Sequence, residues 1–195
     1  MCCLSNTLMK MLERCLFMDR RVRKTQQSLI EVFLELLEEK GFDRITINEV
    51  ADRADVNRST VYAHYADKYD LFKKCIEMHL EKIFIGCSNA SPEDLLLNTF
   101  SYIKQNKAVF QLFLKENYTG LFHMVLLENI RNQSVYNLST DDILKKEIQQ
   151  QFLISATAGI FEWYILNADK YSIADVINRY KDMVLEYNIV SQDYI

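Results

Sequence analysis

Residues 44–72, RITINEVADRADVNRSTVYAHYADKYDLF, hold three helix-start signals too closely spaced for any long helix between them. Thr46 stands three residues before Glu49, the pairing in which each side chain satisfies an orphan N–H of a first turn. Asn57 and Asp67 are residue types that cap the next two helices. Ile47, Val50, Ala51 and Ala54 give the first short helix one apolar face. Asp55 and Val56 make the turn, and a second short helix runs from Arg58 to about Tyr65. Val61 and Tyr65, four apart, face inward. Two short helices around a tight turn, with a third helix following, form the pattern that lays its second helix in the major groove of DNA.

The residues left facing outward suit that task. Arg58 can contact guanine through two hydrogen bonds, and Ser59 and Thr60 can reach bases or phosphates. Tyr62 and His64 can donate to phosphate oxygens, which position without reading sequence. Lys68 starts the next helix, where free backbone N–H groups also favour phosphate. Thr46 is assigned to the same DNA-binding set. Upstream, Arg20, Arg21, Arg23 and Lys24 sit just before or at the start of the first helix. They could act as a basic arm along the backbone or in a minor groove, or form a solvated surface cluster.

The rest of the chain reads as helical. Four Gly and one Pro in 195 residues leave few turns. Leu29, Phe33, Leu36 and Leu37 make one stripe on a helix over 22–40, after which Gly41 suits a left-handed position and Phe42 folds back on the last turn. Asp67 starts a fourth helix lined by Phe72, Ile76, Leu80 and Ile83. The stretch 86–92, GCSNASP, is a junction, and further helices are expected at about 92–105, 107–117, 120–132, 141–168 and 172–188. The expected fold is all-α, about nine helices. A helix-turn-helix domain over 20–86 is followed by a helical bundle over 87–195 and preceded by a leader, 1–19. That leader reads either as an amphipathic helix or as a weakly packed segment ahead of an alternative start at Met18.

Charge separates the two halves. Residues 1–85 carry 14 basic and 14 acidic side chains, and 86–195 carry 9 and 13, which places the net −4 in the second half. DNA contact needs only a local basic face. No apolar run reaches the roughly 20 residues of a membrane span, and the first 17 residues lack a signal-peptide core. A cytoplasmic protein is expected. Cys2, Cys3, Cys15, Cys75 and Cys87 form no CxxC pair and read as reduced thiols, with a Cys75–Cys87 redox switch as the alternative. His64, His79 and His123 are widely spaced, without an HExxH motif, and no Gly-rich phosphate loop is present, so neither enzyme chemistry nor a cofactor or metal is expected.

Residues 23–84 resemble the DNA-binding domain of TetR-family transcriptional regulators. The likeness rests on Glu38–Phe42, on Ile45-Thr46-Ile47 with Glu49-Val50-Ala51, on the run from Val56 to Tyr65, and on Asp67-Lys68 with Leu71-Phe72. Asp55 stands where that family usually has Gly, and Asn57 replaces a common Ser. The resemblance implies a dimeric all-α repressor. Its divergent C-terminal domain would bind a small-molecule inducer and pair through the last two long helices. Gly159, Trp163 and Ser172–Asp175 carry a weaker likeness to one C-terminal subfamily.

In that second half Ser155, Ala156, Gly159 and Ile160 with Trp163 are the expected dimer contacts, the small side chains letting another helix approach, with helix packing inside the chain as the alternative. Phe100, Tyr102, Phe110, Phe113, Tyr118 and Phe122 read first as core. Tyr102, Tyr118, His123 and Trp163 have polar handles that could orient a ligand in an apolar pocket. The expected partners are a double-stranded DNA operator, a second copy of the chain and an inducer. The competing reading is a co-regulator of the same fold that binds protein rather than DNA. Inducer, operator sequence and regulated genes are not encoded in any pattern here.

Overall fold

The computed structural model describes residues 20–84, 92–115, 118–132 and 141–190. The expected leader, the 86–91 part of the junction, and Cys2, Cys3, Cys15 and Cys87 lie outside them. Every regular element among the described residues is helical: α1 Arg20–Lys40, a 3₁₀ turn Phe42–Arg44, α2 Ile47–Arg53, α3 Arg58–His64, α4 Lys68–Phe84, α5 Pro92–Gln105, α6 Lys107–Phe113, α7 Thr119–Asn132, α8 Ile143–Asn167 and α9 Ile173–Val190. None of these helices is long and apolar enough to cross a membrane.

The described residues form two compact units. Those within Met1–Met78 and Gly120–Gln133 make one, and those within His79–Thr119 and Ser134–Ile195 the other. The expected division at 86/87 is therefore drawn differently by contacts. α4 contributes to both units, and nearly all of α7 groups with the first, where Glu128 lies 3.9 Å from Lys73 of α4.

In the first unit α1 lays Leu29, Phe33, Leu36 and Leu37 into a core with Val50, Val61, Leu71 and Phe72, all without solvent exposure. Gly41 ends α1 at φ 77°, ψ 158°. That is the extended counterpart of the expected left-handed turn and equally a glycine conformation. It returns Phe42 to the helix, where its ring meets Phe33 at 6.2 Å and Phe72 at 5.3 Å between centroids. Such edge-to-face and tilted pairs add to the burial of the rings themselves.

In the second unit α5 packs on α8 and α9, and α6 on α8. Phe100 sets its ring edge-on to Phe161 at 5.3 Å and to Tyr164 at 4.9 Å. The hydroxyls of Thr157 and Tyr180, 2.9 Å apart and buried, join α8 to α9. Both long helices start on side-chain caps: Asp142 accepts from Lys145 N–H at 3.0 Å, and Ser172 accepts from Asp175 N–H at 3.1 Å. α6 stops earlier than expected. Beyond Phe113, Leu114 leaves helical geometry, and the Thr119 hydroxyl donates to the carbonyls of Leu114 and Lys115 at 3.0 and 3.1 Å.

Candidate nucleic-acid interface

The surface that would meet DNA is built from local signals. Thr46 caps α2, its hydroxyl accepting from Glu49 N–H at 3.3 Å. The reciprocal half of the expected capping box does not form, because the Glu49 carboxylate accepts from Lys40 at the end of α1. A second bridge reinforces that join: Arg53 reaches both carboxylate oxygens of Glu39, at 2.6 and 3.0 Å. Arg53's hydrogen bond holds the Glu39 carboxyl below its usual range. α2 is thereby tied to α1 at both of its ends.

The turn after α2 is a Schellman closure. Val56 N–H bonds to Ala51 C=O at 3.0 Å and Asp55 N–H to Asp52 C=O at 3.3 Å. Asp55 sits at φ 53°, the left-handed conformation that a short polar side chain tolerates and where the family pattern has Gly. Asn57 occupies the cap position of α3, but its side chain makes no cap bond. Asp67, ahead of α4, accepts from the N–H groups of Tyr69 and Asp70 at 2.8 and 2.9 Å, while Asp70 accepts from Ala66 N–H.

α3 turns Val61 and Tyr65 into the core, as the spacing predicts. Its other face presents Arg58, Ser59 and Tyr62 exposed, with Thr60 and His64 half-buried beside them and Thr46 exposed at the start of α2. The Arg58 guanidinium lies over the Tyr62 ring, 5.2 Å from its centroid, and donates to its hydroxyl at 3.2 Å.

Lys68 departs from its expected role. Its ammonium turns back onto the carbonyls of Phe42, Asp43 and Ile45, at 3.2, 3.1 and 3.4 Å, and onto the Phe42 ring. A cation so engaged ties the 42–45 turn to α4 rather than reaching out to a phosphate. Tyr69, the next residue, is exposed, rests on Phe42, and was missed by sequence reasoning. Its position one residue after Lys68 at the start of α4 was the available signal. Arg20, Arg21, Arg23 and Lys24 are exposed in the first turns of α1, so the described basic run is helical rather than an extended arm. No acidic residue occupies that first turn to offset the positive end of the helix.

The expected ligand handles do not share one setting. Tyr102 places its hydroxyl 3.0 Å from His79 Nδ1, and that imidazole lies edge-on to Phe110 and Phe113. Burial, with Lys82 nearby, lowers the His79 pKa to about 4. Tyr118 is buried and His123 half-buried. Trp163 lies on the exposed side of α8, its ring 5.3 Å from that of Tyr171. Phe100, Phe110, Phe113 and Phe122 are core. Tyr164 is wholly buried, and its hydroxyl has no hydrogen-bond partner among the described residues. The expected dimer contacts share one side of α8: Ser155, Gly159 and Trp163 are exposed, with Ala156 and Ile160 half-buried beside them. Ile148, Phe152 and Leu166 extend that face as exposed apolar residues.

Known proteins match this arrangement. The family of bacterial regulatory proteins described as the tetR family matches residues 29–75. The HTH-type transcriptional regulator YxbF of Bacillus subtilis (strain 168) is 34% identical over 92 residues, which is 47% of this chain and 23% of that longer relative. An HTH-type transcriptional regulator of Staphylococcus aureus (strain USA300) is 26% identical over 160 residues, covering 76% of this chain and 86% of its own. The solved TetR transcriptional regulator from Streptococcus agalactiae 2603V superposes with a TM-score of 0.62 at 27% identity, over 85% of this chain and 96% of that one. With an N-terminal helix-turn-helix that matches the tetR family over residues 29–75, helices through the rest of the described residues and these relatives, the chain is similar to TetR-family transcriptional regulators.

Proposed function

We propose that the chain is a ligand-responsive repressor that binds a palindromic DNA operator as a homodimer. The observation that carries this reading is α3: short, anchored by Val61 and Tyr65, and presenting Arg58, Ser59 and Thr60 outward. Those three would read bases, and Thr46, Tyr62 and His64 would hold the backbone. The N-terminus of α4 and the basic start of α1, with Arg20, Arg21, Arg23 and Lys24, extend the footprint.

Pairing of two copies is supported by α8. Gly159 is exposed, and a Cβ added there meets nothing within 4 Å, so packing among the described residues gives no reason for the glycine. Close approach by a second copy does. Two recognition helices could then address half-sites about 34–36 Å apart. An inducer would enter the second unit, with Tyr102 and the unpartnered Tyr164 hydroxyl as its polar contacts, and would release DNA by binding more tightly to the form with the wrong helix separation.

Selection of bound duplexes from a random pool tests the reading. A two-fold symmetric site is expected, with log affinity falling steeply against log salt, by a slope of about −0.9 per phosphate contact. A protein that enriches no sequence and binds no duplex is instead the co-regulator that acts through protein contacts.

A further inference from the structure

Arg58 is the residue on α3 best suited to read a base, yet a lone exposed arginine carries much rotamer freedom that binding must remove. Among the described residues its guanidinium contacts no carboxylate and is held by Tyr62, one turn further along the same face. The ring centroid is 5.2 Å from the guanidinium carbon, within the range of a cation–π contact, and the hydroxyl accepts one N–H at 3.2 Å. The guanidinium keeps enough other N–H groups for the forked contact to guanine O6 and N7. The two contacts use different parts of Tyr62, the ring face and the oxygen, and so fix both the place and the tilt of the guanidinium plane.

We propose that Tyr62 is a specificity-determining positioning residue, which holds Arg58 in the orientation that reads guanine. This rests on the operator-binding reading above. It changes the part assigned to Tyr62, since a phosphate anchor contributes equally on every sequence whereas a positioning residue acts through the base that Arg58 reads.

The test compares the full chain with Tyr62→Phe, Tyr62→Leu and Arg58→Ala on the selected operator. A second duplex replaces with adenine the guanine whose preference Arg58→Ala abolishes. Tyr62 is 45% exposed, so the variants keep the core intact. Tyr62→Leu is expected to shrink the guanine-over-adenine preference about two- to five-fold, the size of a lost exposed cation–π contact. Tyr62→Phe, which retains the ring, should shrink it less, with the salt slope unchanged in both. An unchanged or sharper preference in Tyr62→Leu overturns the proposal, as does a selected site with no Arg58-dependent guanine. A wild-type chain that binds no DNA is a separate result, since it removes the operator reading itself.

Discussion

Single residues were legible in proportion to how near their partners lie along the chain. Asp67 caps groups two and three residues on, and the sequence states that directly. The place of Lys68 at the start of α4 points to phosphate, whereas its carbonyl partners lie 23–26 residues back, beyond the reach of any local pattern. His79 is the same case, since its partner Tyr102 is 23 residues away. Its consequence is measurable in acid. With the native pKa lowered to about 4 by burial and an unfolded value near 6.5, the unfolded chain binds the extra proton between those limits. Stability attributable to keeping His79 neutral is therefore complete above about pH 6.5 and is lost as pH falls toward 4, by up to about 3 kcal/mol. Denaturant melts of wild type and His79→Gln across that window should diverge in slope. Parallel pH profiles would mean that the imidazole is already protonated, or free to be, in the native chain.

Helices were the most legible scale, because their ends are written in caps and in the period of apolar residues. The expected 107–117 helix is the exception, ending at Phe113, with the Thr119 hydroxyl donating to the carbonyls of Leu114 and Lys115 just beyond that end. A cap-forming residue type is not the same as a cap bond, and two neighbouring helix starts separate the two ideas. Asp67 makes two cap bonds and Asn57 makes none with its side chain. Asp67→Ala should cost about 1 kcal/mol, within the usual range for a lost cap, and Asn57→Ala only a few tenths. Urea melts of the two variants give the comparison. Equal losses would show that the Asn57 side chain does engage the first turn of α3 in solution.

For the whole molecule, the sequence conveyed the all-α class and the order of its parts, but not how contacts group them. α7 follows α6 in the chain yet belongs to the unit that carries the helix-turn-helix, and hydrophobic period says only that a face is buried, not against what. The same limit applies to α8, where both the inward and the outward face are rich in apolar side chains. Gly159 distinguishes the outward face. Gly159→Ala should raise the stability of an isolated chain by about 0.5–1 kcal/mol, as at other exposed helix positions, whereas Gly159→Leu should drive the dimer apart in sedimentation equilibrium. A Gly159→Leu chain that sediments as a dimer at the wild-type concentration would move the interface off this side of α8.

That glycine also bears on gene dosage. An exposed mid-helix glycine makes the solitary chain less stable than one substitution could make it, and the proposed pairing would restore what is lost only when enough copies are present. Where pairing is weak, the amount of dimer grows as the square of the amount of chain. A small rise in synthesis would then move occupancy of a target site more than in proportion, giving a threshold set by protein number before any effector is considered.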